Sequence, residues 1–166
     1  MKRTATAAVL AAVVTLAATG CSEEGPGESG PLTKEQVRKE LTASTTEAGA
    51  PPDDPSWEAL AKAAPADTWA ECLVMYKGRG TRLAPVDGRR YETVLSGLRE
   101  RGWRQSGRTE NGEIVHTFTK SGWSLVAEFR GVPETGQISL MATEDACVAR
   151  SGGGGASGFP YAKLLP

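Results

Sequence analysis

Apolar and polar positions alternate with different periods along this chain, and the changes of period mark its elements. The first stretch, between Arg3 and Glu23, has no charged residue and carries the apolar run AVLAAVVTLAA. From Leu32 to Ala48 the period is helical. Thr33 caps that helix, Gln36 completes a capping box, and Leu32 and Val37 have the spacing of a hydrophobic staple. Its apolar stripe of Val37, Leu41 and Ala48 is thin, so two readings stand: a mobile arm, or a helix packed by one narrow face. After the break APPDDP a second short helix is predicted, with Asp54 as cap, Pro55 at the first helical position, Trp57 and Leu60 as its apolar contacts and Pro65 as its end.

From Trp69 onward the pattern alternates between strand and helix. AECLVMYKG is a short apolar run rich in strand formers, and a Gly/Arg loop follows it. In DGRRYETVLSGLRERGW, residues Tyr91, Val94, Leu95 and Leu98 recur at helical spacing, with Asp87 as cap and Gly102 as stop. WRQSGRTE and EIVHTFTK flank Asn111-Gly112, the strongest short-range signal for a hairpin, and Ser121-Gly122 turns the chain into WSLVAEFRG. QISLMATEDAC alternates through Ile138, Leu140 and Ala142. The predicted fold class is α+β: a small antiparallel β-meander with one principal helix packed on one face, preceded by one or two short helices. Trp103 and Trp123 read as core anchors.

Composition then sets the boundaries. SEEGPGESGP, from Ser22 to Pro31, offers no apolar side chain to bury and reads as a solvated tether. ARSGGGGASGFPYAKLLP reads as a Gly-rich disordered tail, with a short docking motif as the alternative. The expected division is an export signal over 1–20, a lipidated cysteine and tether over 21–31, a helical segment over 32–66, the α+β body over 67–148 and the tail over 149–166.

Lys2 and Arg3 ahead of the uncharged run are the charged and apolar regions of an export signal, and the run is shorter than the roughly 20 residues needed to span a membrane. A plain secretory signal would be cut at Ala18-Thr19-Gly20. The residues LAATGC, ending on Cys21, resemble the lipobox of bacterial lipoproteins, although Ala18 stands where leucine is usual. That resemblance implies a diacylglyceryl group on Cys21, which becomes the mature N-terminus, and an address on the extracytoplasmic face of the cell membrane. The Ala, Gly and Arg content resembles that of a high-GC actinobacterial source. Outside the cytoplasm thiols oxidise, so the remaining pair, Cys72 and Cys147, is expected to form one disulfide.

Candidate chemistry is sparse. His116 is the sole histidine, on a strand face shared with Ile114 and Phe118, which excludes a metal site with two histidine ligands from one chain. It reads as a residue at the edge of the apolar layer; the alternative is a small surface hydrolase in which His116 works with a carboxylate partner. Thr117 and Thr119 face the other way, and Glu128 and Glu134 are a candidate carboxylate pair for sugar cleavage whose mutual distance no spacing fixes. No catalytic constellation, metal site or cofactor motif is called for.

Charge is uneven: nine basic residues stand against three acids between Lys77 and Arg108. Lys77, Arg79, Arg82, Arg89 and Arg90 are the candidate anion-binding residues, with a solvated helix face as the competing reading. The favoured function is a non-catalytic, membrane-anchored lipoprotein that binds an envelope protein or an anionic envelope polymer. Nucleic acid is not an expected partner outside the cell.

Overall fold

Helix α1 (Lys34–Glu47) begins where its capping box places it. Thr33 Oγ1 accepts from the Gln36 amide at 3.3 Å, and Gln36 Oε1 accepts from the Thr33 amide at 2.8 Å. This computed structural model describes residues 31–56, 59, 69–131 and 135–150. A 3-10 turn at Trp69–Cys72 leads into β1 (Leu73–Arg79), followed by α2 (Gly88–Glu100), β2 (Arg104–Glu110), β3 (Ile114–Lys120), β4 (Trp123–Arg130), β5 (Gln137–Glu144) and a short α3 (Asp145–Arg150). Pro55 and Ser56 are helical, and Asp54 Oδ1 accepts from the Ser56 amide at 3.0 Å. The expected contacts of Trp57 and Leu60 and the stop at Pro65 lie outside the described residues.

The five strands form one antiparallel sheet in the order β1-β5-β4-β3-β2. Strands β2 to β5 are the predicted meander. At their turns Gly112 takes φ 78°, and Ser121 and Gly122 take φ 45° and 80°, the doubly left-handed geometry of a two-residue hairpin. The first strand, β1, closes the sheet beside β5, the last, an arrangement that no local signal announces. The fold class is α+β, with α2 as the principal helix.

Alternation along the strands separates the two faces of the sheet. Tyr76, Leu140, Leu125, Ala127 and Phe118 point to the face that α1 and α2 cover, and they form the core with Tyr91, Leu95 and Leu98 of α2. Trp103 and Trp123 are both buried in it. The opposite face carries Met75, Met141, Val126 and Thr117 in one cross-strand row and Lys77, Ser139, Glu128 and Val115 in the next, all only half-buried.

Of the two readings for α1, the packed one describes the structure. Val37 and Leu41 are fully enclosed, and the thin stripe is widened by Ser44 and Thr45, which are also buried. Their hydroxyls donate to Glu40 O at 2.9 Å and Leu41 O at 3.0 Å, one turn back, so burial leaves neither unsatisfied. Ser44 meets Gly97 of α2, where a Cβ would lie 3.3 Å from Ser44 Cβ, and this small-on-small crossing brings the two helices close. Polar contacts fix the orientation. Trp103 Nε1 donates to Glu40 Oε2 at 2.8 Å, Lys120 Nζ pairs with Glu40 Oε1, and Trp123 Nε1 donates to Leu32 O at 2.7 Å.

Cys147 lies on α3 rather than at the end of the last strand. The strand stops at Glu144 because the Asp145 amide donates to Gly122 O at 3.0 Å and its carboxylate accepts from Ser124 Oγ at 2.8 Å, which turns the chain into a helix. Helix α3 runs to Arg150, two residues into the tail expected over 149–166, and residues 151–166 lie outside the described residues.

Candidate functional site

The end of the molecule where β1 stops and α2 starts is built from loop 80–87, and backbone contacts strap it down. Gly80 N donates to Gly136 O at 3.0 Å and Val86 N to Thr135 O at 2.8 Å, lacing the loop to the start of β5. Side chains are excluded from this seam: a Cβ on Gly80 would lie 2.0 Å from Thr135 O, and one on Gly136 would lie 2.0 Å from Val86 O. Val86 itself is buried in the core. Between the straps Thr81 and Ala84 exchange backbone hydrogen bonds of 3.1 and 3.2 Å, and Ala84 N also donates to Thr81 Oγ1 at 3.2 Å. Arg82 and Leu83 occupy the tip of this closed turn, and Leu83 is 99% exposed. The loop is thus a closed turn, and Gly80 and Gly136 serve close packing in its seam.

The five candidate anion-binding residues divide between the two sides of this end. Arg79 is exposed at the end of β1, where it reaches toward Gln137 Oε1 at 3.5 Å. Arg82 is exposed on the turn, and Arg89 is exposed in the first turn of α2. Arg90 lies behind the turn and donates to Pro85 O at 3.2 Å. Lys77 is set apart on the open face of the sheet, in the row of Glu128. The remaining four basic residues of the charged stretch lie elsewhere: Arg101 pairs with Glu47, Arg108 with Glu110, Arg99 donates to Gln105, and Arg104 is exposed at the start of β2.

On the open face Arg130 lies between Glu113 and Glu128. Burial and the neighbouring Glu113 push the Glu128 carboxyl above its ordinary range, while Arg130 acts in the opposite sense. Glu134, its candidate partner for sugar cleavage, lies outside the described residues. Among the described residues no group of three or more histidine, cysteine or carboxylate side chains could hold a metal ion.

His116 belongs to the core face and is 3% exposed. Its Nδ1 lies 3.0 Å from Tyr91 Oη, which also lies 2.8 Å from Ala127 O. The phenol has one proton, and Ala127 O takes it, so Nδ1 carries its own proton and donates to the phenol oxygen. A hydrolytic base would hold a carboxylate on that nitrogen. Glu92 acts on the ring through space, and among the described residues no hydrogen bond joins His116 to a carboxylate.

Burial lowers the His116 pKa below its ordinary value; Arg108 and Arg99 push the same way, and Glu92 opposes them. An unfolded chain then takes up a proton near pH 6.5 while the folded one resists. The imidazole contribution to stability is complete above pH 6.5 and is lost as pH falls below it, at a slope of no more than about 1.4 kcal/mol per pH unit. Urea unfolding of the wild type and His116→Gln between pH 7.5 and 5.5 should show stabilities that converge as pH falls. A constant gap would show that the ring takes up its proton equally in the folded and the unfolded state.

Cys72 and Cys147 form a disulfide with a Cα–Cα distance of 5.4 Å, tying the turn before β1 to α3. Cys21 lies outside the described residues, and among the described residues no helix is long and apolar enough to cross a membrane. Leu83 escapes a sequence reading centred on charge. Its signal is an isolated large apolar residue inside GRGTRLAPVDG, with no periodic partner to assign it to a core.

Comparisons with protein families, with curated proteins and with solved structures return no match.

Proposed function

We propose that this chain is a membrane-anchored, extracytoplasmic lipoprotein, acylated on Cys21, whose folded body binds another component of the envelope without catalysing a reaction. The observation that carries the address is the Cys72–Cys147 disulfide: it consumes both cysteines of the body and suits an oxidising compartment, so Cys21 remains as the acyl acceptor. The LAATGC sequence and the uncharged run before it support the same address.

For the partner, a protein fits better than an anionic polymer. A polymer requires a continuous basic track, whereas Lys77 shares its open-face row with Glu128, across Ser139, and is separated by the sheet from Arg89 and Arg90 on the helical side. The loop end presents Arg82 and Leu83 on one closed turn instead. His116, held by Tyr91 inside the core, lends no support to a hydrolytic role.

Anchoring is tested by fractionation. The Cys21→Ala protein should leave the membrane fraction and appear in the medium with an unchanged melting temperature. Its retention on salt-washed membranes would reject lipidation in favour of an uncleaved anchor.

A further inference from the structure

We propose that the turn Thr81–Ala84 is a docking tip, and that it seats Leu83 in an apolar pocket with an acidic rim on a partner protein. The inference rests on the partner-binding reading above and assigns the contact to named residues. A single exposed leucine on an ordinary surface requires no explanation. Leu83 differs because of the scaffold beneath it. Its turn is closed by the Thr81–Ala84 exchange and by Thr81 Oγ1, strapped to Thr135 and Gly136, and pegged into the core by Val86. At Gly80 and Gly136 the strap leaves no room for a Cβ. Such a backbone loses little further freedom on binding, so contacts at the tip convert to affinity more efficiently than contacts on a floppy loop.

Charge describes the complementary surface. Between residues 79 and 90 there are four arginines and one aspartate, and Asp87 is already occupied in capping α2 through the Arg90 amide at 2.9 Å. Arg82, next to Leu83 on the turn, and Arg89, in the first turn of α2, are exposed, which suits carboxylates at the rim of the pocket that receives Leu83.

Direction distinguishes a protein from a lipid surface. The chain enters the body at the far end: Leu32 O accepts from Trp123, the first residue of β4, and Lys34 Nζ donates to Ala70 O and Glu71 O just ahead of β1. The turn follows the last residue of β1, roughly 20 Å away along a seven-residue strand. The tip thus stands at the end of the body opposite to the one where the tether attaches. One side chain and its arginine rim make a small contact, and fixing both partners in one envelope raises their effective concentration.

The test places a photocrosslinking residue at position 83 of the full-length protein in its native envelope, with Thr109 on the exposed edge strand β2 as the control position. The purified full-length Cys21→Ala protein serves as competitor, with or without an added Leu83→Ala change. The expected result is one discrete protein adduct from position 83, absent from position 109. The competitor should abolish it, and roughly tenfold more should be required once Leu83→Ala is added. Leu83→Ala should leave the melting temperature unchanged, because the side chain touches nothing that melts. No adduct, an adduct to phospholipid, the same adduct from both positions, or equal competition by both proteins would each overturn the docking tip. Membrane fractionation of the same cells reports on the anchor separately, so loss of anchoring and loss of the Leu83 contact are distinguished.

Discussion

Replacing both bridged cysteines, as Cys72→Ser with Cys147→Ser, lowers the free energy of unfolding by about 4 to 5 kcal/mol. The expectation follows from a closed loop of 75 residues, whose opening returns that much conformational entropy to the unfolded chain. Small domains hold only about 5–15 kcal/mol in total, so the loss brings this one close to its limit of stability. Helix α3 suffers first. It has six residues, far too few to persist alone, and without the bridge it is held by the buried Val148 and by the hydrogen bonds of Asp145 with Gly122 O and Ser124 Oγ. Urea unfolding of the wild type, the double variant and the reduced wild type checks the expectation. The last two should coincide. A loss below about 1 kcal/mol would mean that the unfolded chain is already compact enough to make the cross-link redundant.

The second large effect is expected at Gly136. Gly136→Ala places a Cβ 2.0 Å from Val86 O in a backbone conformation, φ 67°, that L-residues avoid. Both penalties act together, at roughly 2 to 5 kcal/mol. Gly49 supplies the internal comparison. It has a similar φ of 62° and nothing within 4 Å of a Cβ, so Gly49→Ala should incur only the conformational cost of roughly 1–2 kcal/mol. The difference between the two melts measures the seam itself. Equal destabilisation would show that loop 80–87 lifts away freely and that the strap contributes nothing to its rigidity.

Much of the body could be read from the order of its residues because its signals are local. The period of Tyr91, Val94, Leu95 and Leu98 marks α2, Asp87 and Gly102 bound it, and Gly112 and the Ser121–Gly122 pair turn the hairpins. What escaped depends on residues far apart in the chain. The choice between an arm and a packed helix for α1 could not be made locally, because Ser44 counts as polar until Gly97, on another helix, supplies the concavity that receives it. The polar clamps of α1, Glu40 with Trp103 and Lys120, span 63 and 80 positions. Helix α3 is too short to show a period, and β1 carries nothing that names β5 as its neighbour. At the candidate site, charge draws attention to the loop and not to its tip. Arginine density is visible as composition, whereas the exposure of Leu83 follows from the Thr81–Ala84 closure and from seam contacts that only the assembled fold contains.

The edge position of β1 also has a consequence for the order of assembly. Strands β2 to β5 close through neighbouring hairpins, but every β1–β5 pair, from Arg79↔Gln137 to Leu73↔Thr143, joins positions about 60 to 70 apart. Local hairpins form in microseconds, while a closure of that span must wait until the meander presents β5 as a template. In a chain delivered N-terminus first, Cys72 emerges 75 residues ahead of Cys147 and meets it only when β1 docks. Oxidation therefore trails folding, and the covalent bond records a sheet already completed.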